Sequence, residues 1–318
     1  MIKIENLTKK FGNKTVLDNI SFSVEDGEIV GFLGPNGAGK TTTMNILTGY
    51  LSSTSGVTTV DGIDVLERPL AAKKCIGFLP EQPPLYLDMT VKEYLNFIYD
   101  LKGCSLNRKK HLAEICEVIG ISHVQERVIR NLSKGYKQRV GIAQALVGNP
   151  KVIIFDEPTV GLDPKQIIEI RNLIKTLGKN HTVILSTHIL PEVQAVCDRI
   201  VIINEGKIVA NEKTEDIVNI VDGNRRLNVK ICGPEKDVLS TLKKTPGIAY
   251  AEVIGYTDKD SVSYLIESDP GIDMRKPLFR TMAANNWPII GIESMGANLE
   301  DIFISIIDKK EQKAGVRK

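Results

Sequence analysis

The chain of 318 residues is long enough for about two domains, and its 41 Lys and Arg nearly balance its 39 Asp and Glu, for a formal net charge of +2. This charge excludes a strong positive field, so nucleic acid is not expected as a partner. With 42% hydrophobic and 25% charged residues, the composition excludes a fibrous or wholly disordered protein. The N-terminus lacks a signal-peptide pattern, and no apolar run approaches the roughly 20 residues of a membrane helix. Any action at a membrane therefore requires another chain.

The five cysteines form no CxxC pair, and no His stands at a zinc-ligand spacing from them. We expect structural free thiols in a reducing compartment, which favours the cytoplasm.

The order of predicted elements indicates a mixed α/β domain with a helical insert. Strands are predicted at Ile2 to Leu7, Leu17 to Val24, Glu28 to Leu33 and Gly56 to Val60, with a helix from Lys40 to about Thr48. From about Thr90 to Ala145 the hydrophobic period is helical throughout. The α/β pattern resumes with strands at Lys151 to Phe155, Thr182 to Ser186 and Arg199 to Asn204, and with a helix from Pro164 to Leu177.

The composition changes at residues 222–225, where we place a domain boundary. The predicted elements beyond it are strands at Leu227 to Cys232, Ala249 to Gly255, Ser261 to Ile266 and Ile289 to Met295, and helices at Glu235 to Lys244, Asp273 to Asn285 and Leu299 to Asp308. Their β-α-β-β-α-β order is that of a small ferredoxin-like α+β domain. The predicted domains are residues 1–222, with the helical insert at about 88–145, and residues 225–318.

A glycine-rich loop between a predicted strand and a predicted helix matches the phosphate-loop pattern G-x-x-x-x-G-K-[ST]. Its residues are Gly34, Pro35, Asn36, Gly37, Ala38, Gly39, Lys40, Thr41 and Thr42. Glycines allow backbone N–H groups to converge on phosphate oxygens at the positive end of the new helix. Lys40 is then expected to reach the β- and γ-phosphates of a nucleoside triphosphate, and the Thr41 hydroxyl to bind Mg²⁺.

Two adjacent carboxylates end an apolar strand in the segment KVIIFDEP, residues 151–158. Because side chains alternate along a strand, Asp156 and Glu157 cannot share one role. Asp156 is expected to hold Mg²⁺, while Glu157 acts as general base on a water near the γ-phosphate. The alternative is a structural acidic turn that ends at Pro158.

The segment NLSKGYKQRV, residues 131–140, stands shortly before that acidic strand. Leu132, Ser133 and Gly135 agree with the LSGGQ signature of ABC transporter ATP-binding subunits, which the chain therefore resembles. The resemblance implies that Ser133 and the N–H groups from Gly135 onward face a phosphate, whereas the simplest local role of Ser133 is a helix N-cap. Lys134 and Tyr136 depart from the signature, and Lys134 either adds charge near a partner's γ-phosphate or faces solvent.

Further matches follow the family's order along the chain, and together they cover roughly residues 1 to 220. They are Phe11 in KKFG, Gln82 in LPEQPP, Gly161, Leu162, Asp163 and Pro164 in the D-loop, and His188 in LSTHIL. By this resemblance Phe11 stacks on adenine, Gln82 senses Mg²⁺ and water, and His188 contacts the γ-phosphate. The implied fold is a P-loop NTPase (RecA-like) α/β core with an antiparallel β subdomain.

The resemblance implies an ATP-hydrolysing subunit that uses ATP and Mg²⁺ and forms an ATP-dependent, head-to-tail homodimer. Its other partners are separate membrane-spanning permease subunits, which would hold it at the inner face of the cell membrane. The appended domain and the ending NLEDIFISIID are similar to the drug-export and gliding-motility subunits, so an exporter is expected. The alternatives are a soluble ABC ATPase that drives assembly or repair, and a catalytically feeble regulatory module.

Overall fold

The computed structural model describes residues 1–217, 226–258, 261–269 and 272–295. The chain divides into two compact units, Met1–Thr214 and Glu215–Lys318. The boundary predicted at 222–225 and the helix predicted from Leu299 to Asp308 lie outside the described residues. In the part that is described, no helix has the length and apolar character needed to cross a membrane.

The first unit contains ten strands and seven α-helices among its described residues. The strands are β1 Ile2–Phe11, β2 Lys14–Val24, β3 Ile29–Leu33, β4 Ser55–Val60, β5 Ile63–Asp64, β6 Ile76–Leu79, β7 Val152–Asp156, β8 Thr182–Thr187, β9 Arg199–Asn204 and β10 Lys207–Lys213. The helices are α1 Lys40–Leu47, α2 Pro69–Cys75, α3 Val91–Leu101, α4 Arg108–Ile119, α5 Lys134–Leu146, α6 Pro164–Gly178 and α7 Leu190–Val196.

A six-stranded sheet with the order β10-β9-β3-β8-β7-β6 forms the centre of this unit. All its pairings are parallel except β10 with β9. Every residue of β3, β7 and β8 is buried, as expected for parallel strands covered on both faces. Because β3, β8 and β7 are neighbours, the loops that follow these three strands meet at one edge of the sheet.

The antiparallel sheet β2-β1-β4-β5 is the predicted β subdomain. Its buried residues share a core with the central sheet, for example through the Phe22 and Phe32 rings, whose centroids lie 5.3 Å apart. Helices α3, α4 and α5 occupy the predicted helical insert. Thr90 begins α3 with a reciprocal capping box to Glu93, and Gly120, in a left-handed conformation, ends α4.

The second unit has the elements β11 Arg226–Ile231, α8 Glu235–Lys244, β12 Ile248–Asp258, β13 Ser261–Ser268, α9 Arg275–Ala284 and β14 Ile289–Met295. They form an antiparallel sheet in the order β12-β13-β11-β14. The buried core includes Val238 and Leu242 of α8, and Leu278 and Met282 of α9. This topology confirms the predicted ferredoxin-like arrangement.

Candidate functional site

A cleft of about 590 Å³ opens at the edge of the central sheet where β3, β7 and β8 end. We call it the phosphate-loop cleft. Its lining residues are Lys14, Thr15, Val16, Asn36, Gly37, Gly39, Lys40, Thr41, Thr42, Glu81, Glu157, Val160, His188, Glu205 and Gly206. Residues from six separate parts of the chain therefore share one concave surface.

The phosphate loop connects β3 to α1 and requires glycine at two positions of close packing. A Cβ atom at Gly34 would lie 2.4 Å from the carbonyl oxygen of Ile203. At Gly39, which has φ of +111°, a Cβ would lie 2.6 Å from the Leu17 side chain. Only glycine tolerates both this backbone angle and this space. The loop consequently folds tightly against its neighbours, and α1 begins directly after it at Lys40.

Lys40 lies buried across the loop, with 6% of its surface exposed. Its ammonium donates hydrogen bonds to the carbonyl oxygens of Gly34 at 2.9 Å and Pro35 at 3.3 Å. It also lies 3.4 Å from Glu157 Oε1. The only long cation of the phosphate-loop motif is thus held beside the carboxylate that the sequence predicts as general base.

Glu157 follows β7 directly and adopts a φ of +50°, which is uncommon for a residue other than glycine. Its backbone N–H donates to the Ser186 carbonyl of the adjacent strand at 2.9 Å, which fixes this turn. Both its carboxylate oxygens lie 3.0 Å from His188 Nδ1. The structure therefore brings together Lys40, Glu157 and His188, which are far apart in the sequence.

Asp156 points to a different set of partners from Glu157, because Asp156 is the last residue of β7 and Glu157 follows the strand in a left-handed conformation. Its Oδ1 accepts a hydrogen bond from the Ser186 hydroxyl at 2.7 Å, and the Thr41 hydroxyl is near enough to influence this carboxyl. Burial raises the pKa of Asp156, while Ser186 and Thr41 act in the opposite direction. A buried carboxylate next to a Thr hydroxyl is a suitable oxygen donor pair for Mg²⁺.

These donors fit a magnesium ion that is bound together with substrate phosphates. Mg²⁺ is commonly held by one or two carboxylates, with phosphate oxygens and water completing its coordination. Among the described residues, no group of three or more His, Cys, Asp or Glu side chains is arranged to hold a metal ion. Asp156 and Thr41 are therefore a partial ligand set that nucleotide phosphates can complete.

Two predicted nucleotide contacts lie beside the cleft and not among its lining residues. Phe11 is half exposed at the β1–β2 hairpin, opposite Lys14, with the Lys9 ammonium 4.9 Å from its ring centroid. Gln82 is exposed, and its neighbour Glu81 lines the cleft. Ala38 does not line the cleft either, but its carbonyl accepts a hydrogen bond at 3.0 Å from the N–H of Gly206, which does line it. Sequence reasoning did not identify Glu81, Glu205 or the β2 segment as parts of this cleft.

The signature residues lie elsewhere in the first unit. The Ser133 hydroxyl caps α5 by accepting the Tyr136 N–H at 3.4 Å, and Asp163 caps α6 by accepting the Gln166 N–H at 2.9 Å. Gly135, Asp163 and Gln166 line a second cavity of about 380 Å³, here called the signature cavity. It shares no lining residue with the phosphate-loop cleft.

Comparison with known proteins gives consistent matches along the chain. A family profile described as ABC transporter matches residues 17–160. An uncharacterised ABC transporter ATP-binding protein of Bacillus subtilis is 32% identical over 96% of this chain and 99% of its own length. The linearmycin resistance ATP-binding protein of the same species is 36% identical over 96% of this chain and 98% of its own length.

Other matches cover about two thirds of this chain. The bacitracin transport ATP-binding protein of Bacillus licheniformis is 39% identical over 65% of this chain and 68% of its own length. A dimeric ATP-binding cassette, solved in a post-hydrolysis state with ADP and Pi, is 30% identical, with a TM-score of 0.61. That match covers 67% of this chain and 99% of the solved one.

Proposed function

This chain belongs to the ABC transporter family of ATP-binding proteins, and we propose that it hydrolyses Mg²⁺-bound ATP in the phosphate-loop cleft to energise export through membrane-spanning subunits. The ATP-binding and ATPase activities are those of the family. The observation that carries the residue assignment is the buried contact of Glu157 with both Lys40 and His188. A base, a phosphate-binding cation and a polar orienting group thereby share one cleft.

In the proposed mechanism each of these residues has a separate role. The N–H groups of the phosphate loop bind the phosphates, and Lys40 leaves its carbonyl partners to reach the β- and γ-phosphates. Glu157 accepts a proton from the attacking water as that water's oxygen bonds to the γ-phosphorus and the bond to ADP breaks. His188 holds the Glu157 carboxylate in place and lies where it can contact the terminal phosphate.

Mg²⁺ would be held by Asp156 and Thr41, and when bound it would neutralise charge on the phosphates. We assign Gln82 to sensing Mg²⁺ and water in the same region, because its side chain is exposed and its neighbour Glu81 lines the cleft. Phe11 is assigned to the adenine ring because its exposed side chain stands at the hairpin whose next residues line the cleft.

We assign the signature residues to the ATP site of a second copy. Ser133, Gly135 and Asp163 do not line the phosphate-loop cleft of their own chain, yet α5 presents N-terminal N–H groups at this position. Head-to-tail pairing of two copies would bring each signature to the other's phosphate loop. The dimeric cassette among the solved relatives supports this arrangement.

The export role is proposed from the relatives whose names state a process. These proteins are named for linearmycin resistance, bacitracin transport and lantibiotic transport. Transport of a toxic compound out of the cell would account for both resistance to it and its transport. Separate permease subunits would then hold this chain at the inner face of the membrane.

The assignment of Glu157 is tested by Glu157→Gln, which keeps the shape of the side chain but removes its basicity. Turnover is expected to fall by about 10²- to 10⁴-fold, the usual contribution of a general base, while ATP affinity is kept. The ATP-loaded variant should accumulate as a dimer in size-exclusion chromatography with light scattering. The matched control is Glu117→Gln, an exposed glutamate on α4. Undiminished phosphate release by Glu157→Gln would contradict the assignment.

The export role is tested by purification of the tagged chain from detergent-solubilised cells. A polytopic membrane protein is expected to co-purify in a fixed ratio, and ATPase activity should change when that partner is present. If the active chain instead co-purifies only with non-membrane machinery, the alternative of an ABC ATPase for assembly or repair is supported.

A further inference from the structure

A buried glutamate of α7 joins the ends of the two strands that carry the proposed catalytic residues. Glu192 has 1% of its surface exposed. Its Oε1 accepts the Thr159 hydroxyl at 2.7 Å, and its Oε2 accepts the Thr187 hydroxyl at 3.1 Å. Both threonines are themselves buried. One carboxylate thus links the segment after β7 with the last residue of β8.

Burial of this carboxylate costs free energy, which its hydrogen-bond and charge partners must offset. A buried carboxylate is unfavourable unless its oxygens accept hydrogen bonds, and here each oxygen has one hydroxyl donor. The Arg171 guanidinium also forms a long ion pair with Glu192, at 3.9 Å from Oε1, which is beyond hydrogen-bond distance. An apolar residue of similar size would fill the space but would leave the two buried hydroxyls without these acceptors, so the glutamate serves to join the two threonines.

The positions of the two threonines connect Glu192 with the reaction. Thr159 stands two residues after Glu157, in the turn that leads to the D-loop. Thr187 directly precedes His188 and pairs with Leu33 at the start of the phosphate loop. Fixing these two threonines fixes the backbone on either side of the Glu157–His188 contact.

We propose that Glu192 is a positioning residue, whose two hydrogen bonds hold the ends of β7 and β8 so that Glu157 and His188 keep their mutual geometry during ATP hydrolysis. This inference rests on the proposed role of Glu157. Glu192 does not line the phosphate-loop cleft, and it acts only through Thr159 and Thr187. Its loss should therefore slow the chemical step and leave nucleotide binding intact.

The first test compares Glu192→Ala and Glu192→Gln with the parent chain. For the alanine variant we expect kcat to fall about tenfold or more and ATP Kd to change by less than about twofold, because small displacements of reacting groups are costly. The glutamine variant keeps one acceptor oxygen and should fall between the two. Gln194→Ala, on the same helix, is the matched control. A folded Glu192→Ala protein with the parent's kcat, or with Kd raised in step with the loss of kcat, would overturn the inference.

The second test separates positioning from a general loss of folding and uses milder changes. Thr159→Val removes one hydroxyl and should lower kcat, whereas Thr159→Ser restores the hydroxyl and should recover most of it. If Glu192 and Thr159 act through their shared bond, the double variant Glu192→Ala with Thr159→Val loses no more activity than the worse single variant. If the double variant instead loses activity by the product of the two single losses, and Tm falls in parallel with activity, the inference is overturned in favour of a structural role.

The outcomes also distinguish this inference from the proposed function. An inactive Glu157→Gln together with a fully active Glu192→Ala overturns the positioning role of Glu192 alone. A fully active Glu157→Gln overturns both.

Discussion

The backbone conformation of Glu157 determines where its carboxylate points. With a φ of +50° at the bend after β7, its carboxylate faces Lys40 and His188, while Asp156 remains directed to Ser186. Such a conformation costs on the order of 1–3 kcal/mol and persists only where the surrounding contacts enforce it. The backbone bond to Ser186 and the bonds to His188 are contacts of this kind.

Lys40→Ala should abolish tight nucleotide binding. The ammonium is buried in the phosphate loop, so its removal deletes a charge-assisted contact to the phosphates and leaves Glu157 without its nearby cation. We expect ATP Kd, measured by fluorescence of a labelled nucleotide, to rise at least about tenfold. Lys175→Ala, at an exposed position in α6, should bind as the parent does. Equal affinity of Lys40→Ala and the parent would contradict the assignment of Lys40.

Lys134→Gly should change ATPase turnover by less than about twofold. The Lys134 side chain lies over Gly161 of its own D-loop, where an added Cβ atom would be 2.0 Å from its ammonium nitrogen. The residue is exposed, and its ammonium is directed to its own chain. Of the two roles that the sequence leaves open for Lys134, this position favours the one without phosphate contact. Steady-state phosphate release measures the effect, and a large drop in turnover would favour contact with a partner's γ-phosphate instead.

The motifs predict local parts of the site well, because their chemistry depends on neighbouring residues. The phosphate loop and the Asp156–Glu157 pair are of this kind, since each is one short contiguous segment whose residue types indicate its chemistry. Glu192 has no such signal: its role appears only when the ends of β7 and β8 are adjacent, and Thr159 is 33 residues away in sequence. The same reason explains why Glu205 and the β2 residues of the cleft were not found.

Among the elements, most strands and helices were predictable from the sequence, but strands without a clear hydrophobic pattern were not. The helix predicted from Glu235 to Lys244 and the strand from Arg199 to Asn204 are confirmed at both ends. Strand β6 was not predictable, because its run of four residues is too short for its period to indicate a strand. Strand β10 was also not predicted, because its antiparallel pairing depends on the turn after β9.

Helix α5 is fixed at its C-terminal end by a lysine from another helix of the insert. The Lys102 ammonium donates to the carbonyl oxygens of Gln144 at 3.0 Å, Ala145 at 3.2 Å and Val147 at 2.8 Å. Lys102→Met keeps most of the apolar stem but leaves these carbonyls without their donor. We expect the free energy of unfolding to fall by about 1–3 kcal/mol in chemical denaturation. Lys92→Met, at an exposed position of α3, is the control. An unchanged unfolding midpoint and slope would contradict this role.

The same lysine should make the stability difference depend on pH. Burial lowers the pKa of Lys102 from 10.5 to about 8, so between these values the unfolded chain binds more protons at this site than the folded chain. Stability rises with pH under that condition. The advantage of the parent over Lys102→Met should therefore increase from pH 8 to pH 10.5, by at most about 1.4 kcal/mol per pH unit. A constant or decreasing difference would mean that the ammonium is not destabilised by burial.

At the scale of the whole molecule, the proposed ATP site is divided between two surfaces of the first unit. The phosphate-loop cleft contains the base and the cation, and the signature cavity lies at the N-terminal ends of α5 and α6. If each surface serves the other copy, one chain alone has the parts for two half-sites and no complete one. This division makes complementation between two inactive variants possible.

Mixing Lys40→Ala with Ser133→Arg should restore ATPase activity. The first variant has a defective phosphate loop and an intact signature, and the second has the reverse, so each alone forms no complete site. In a head-to-tail mixed dimer, one site combines the two defects and the other combines two intact halves. With random association, half of the dimers are mixed, and about a quarter of the parent's activity should return.

The measurement is steady-state phosphate release at constant total protein, with each variant titrated into the other. Activity should rise to a maximum near equal amounts and vanish at both ends of the titration. Each variant mixed with a second preparation of itself is the control, and circular dichroism establishes that both are folded. A signal that never exceeds the average of the two separate variants would mean that each phosphate loop and signature act within one chain, which contradicts the proposed dimer.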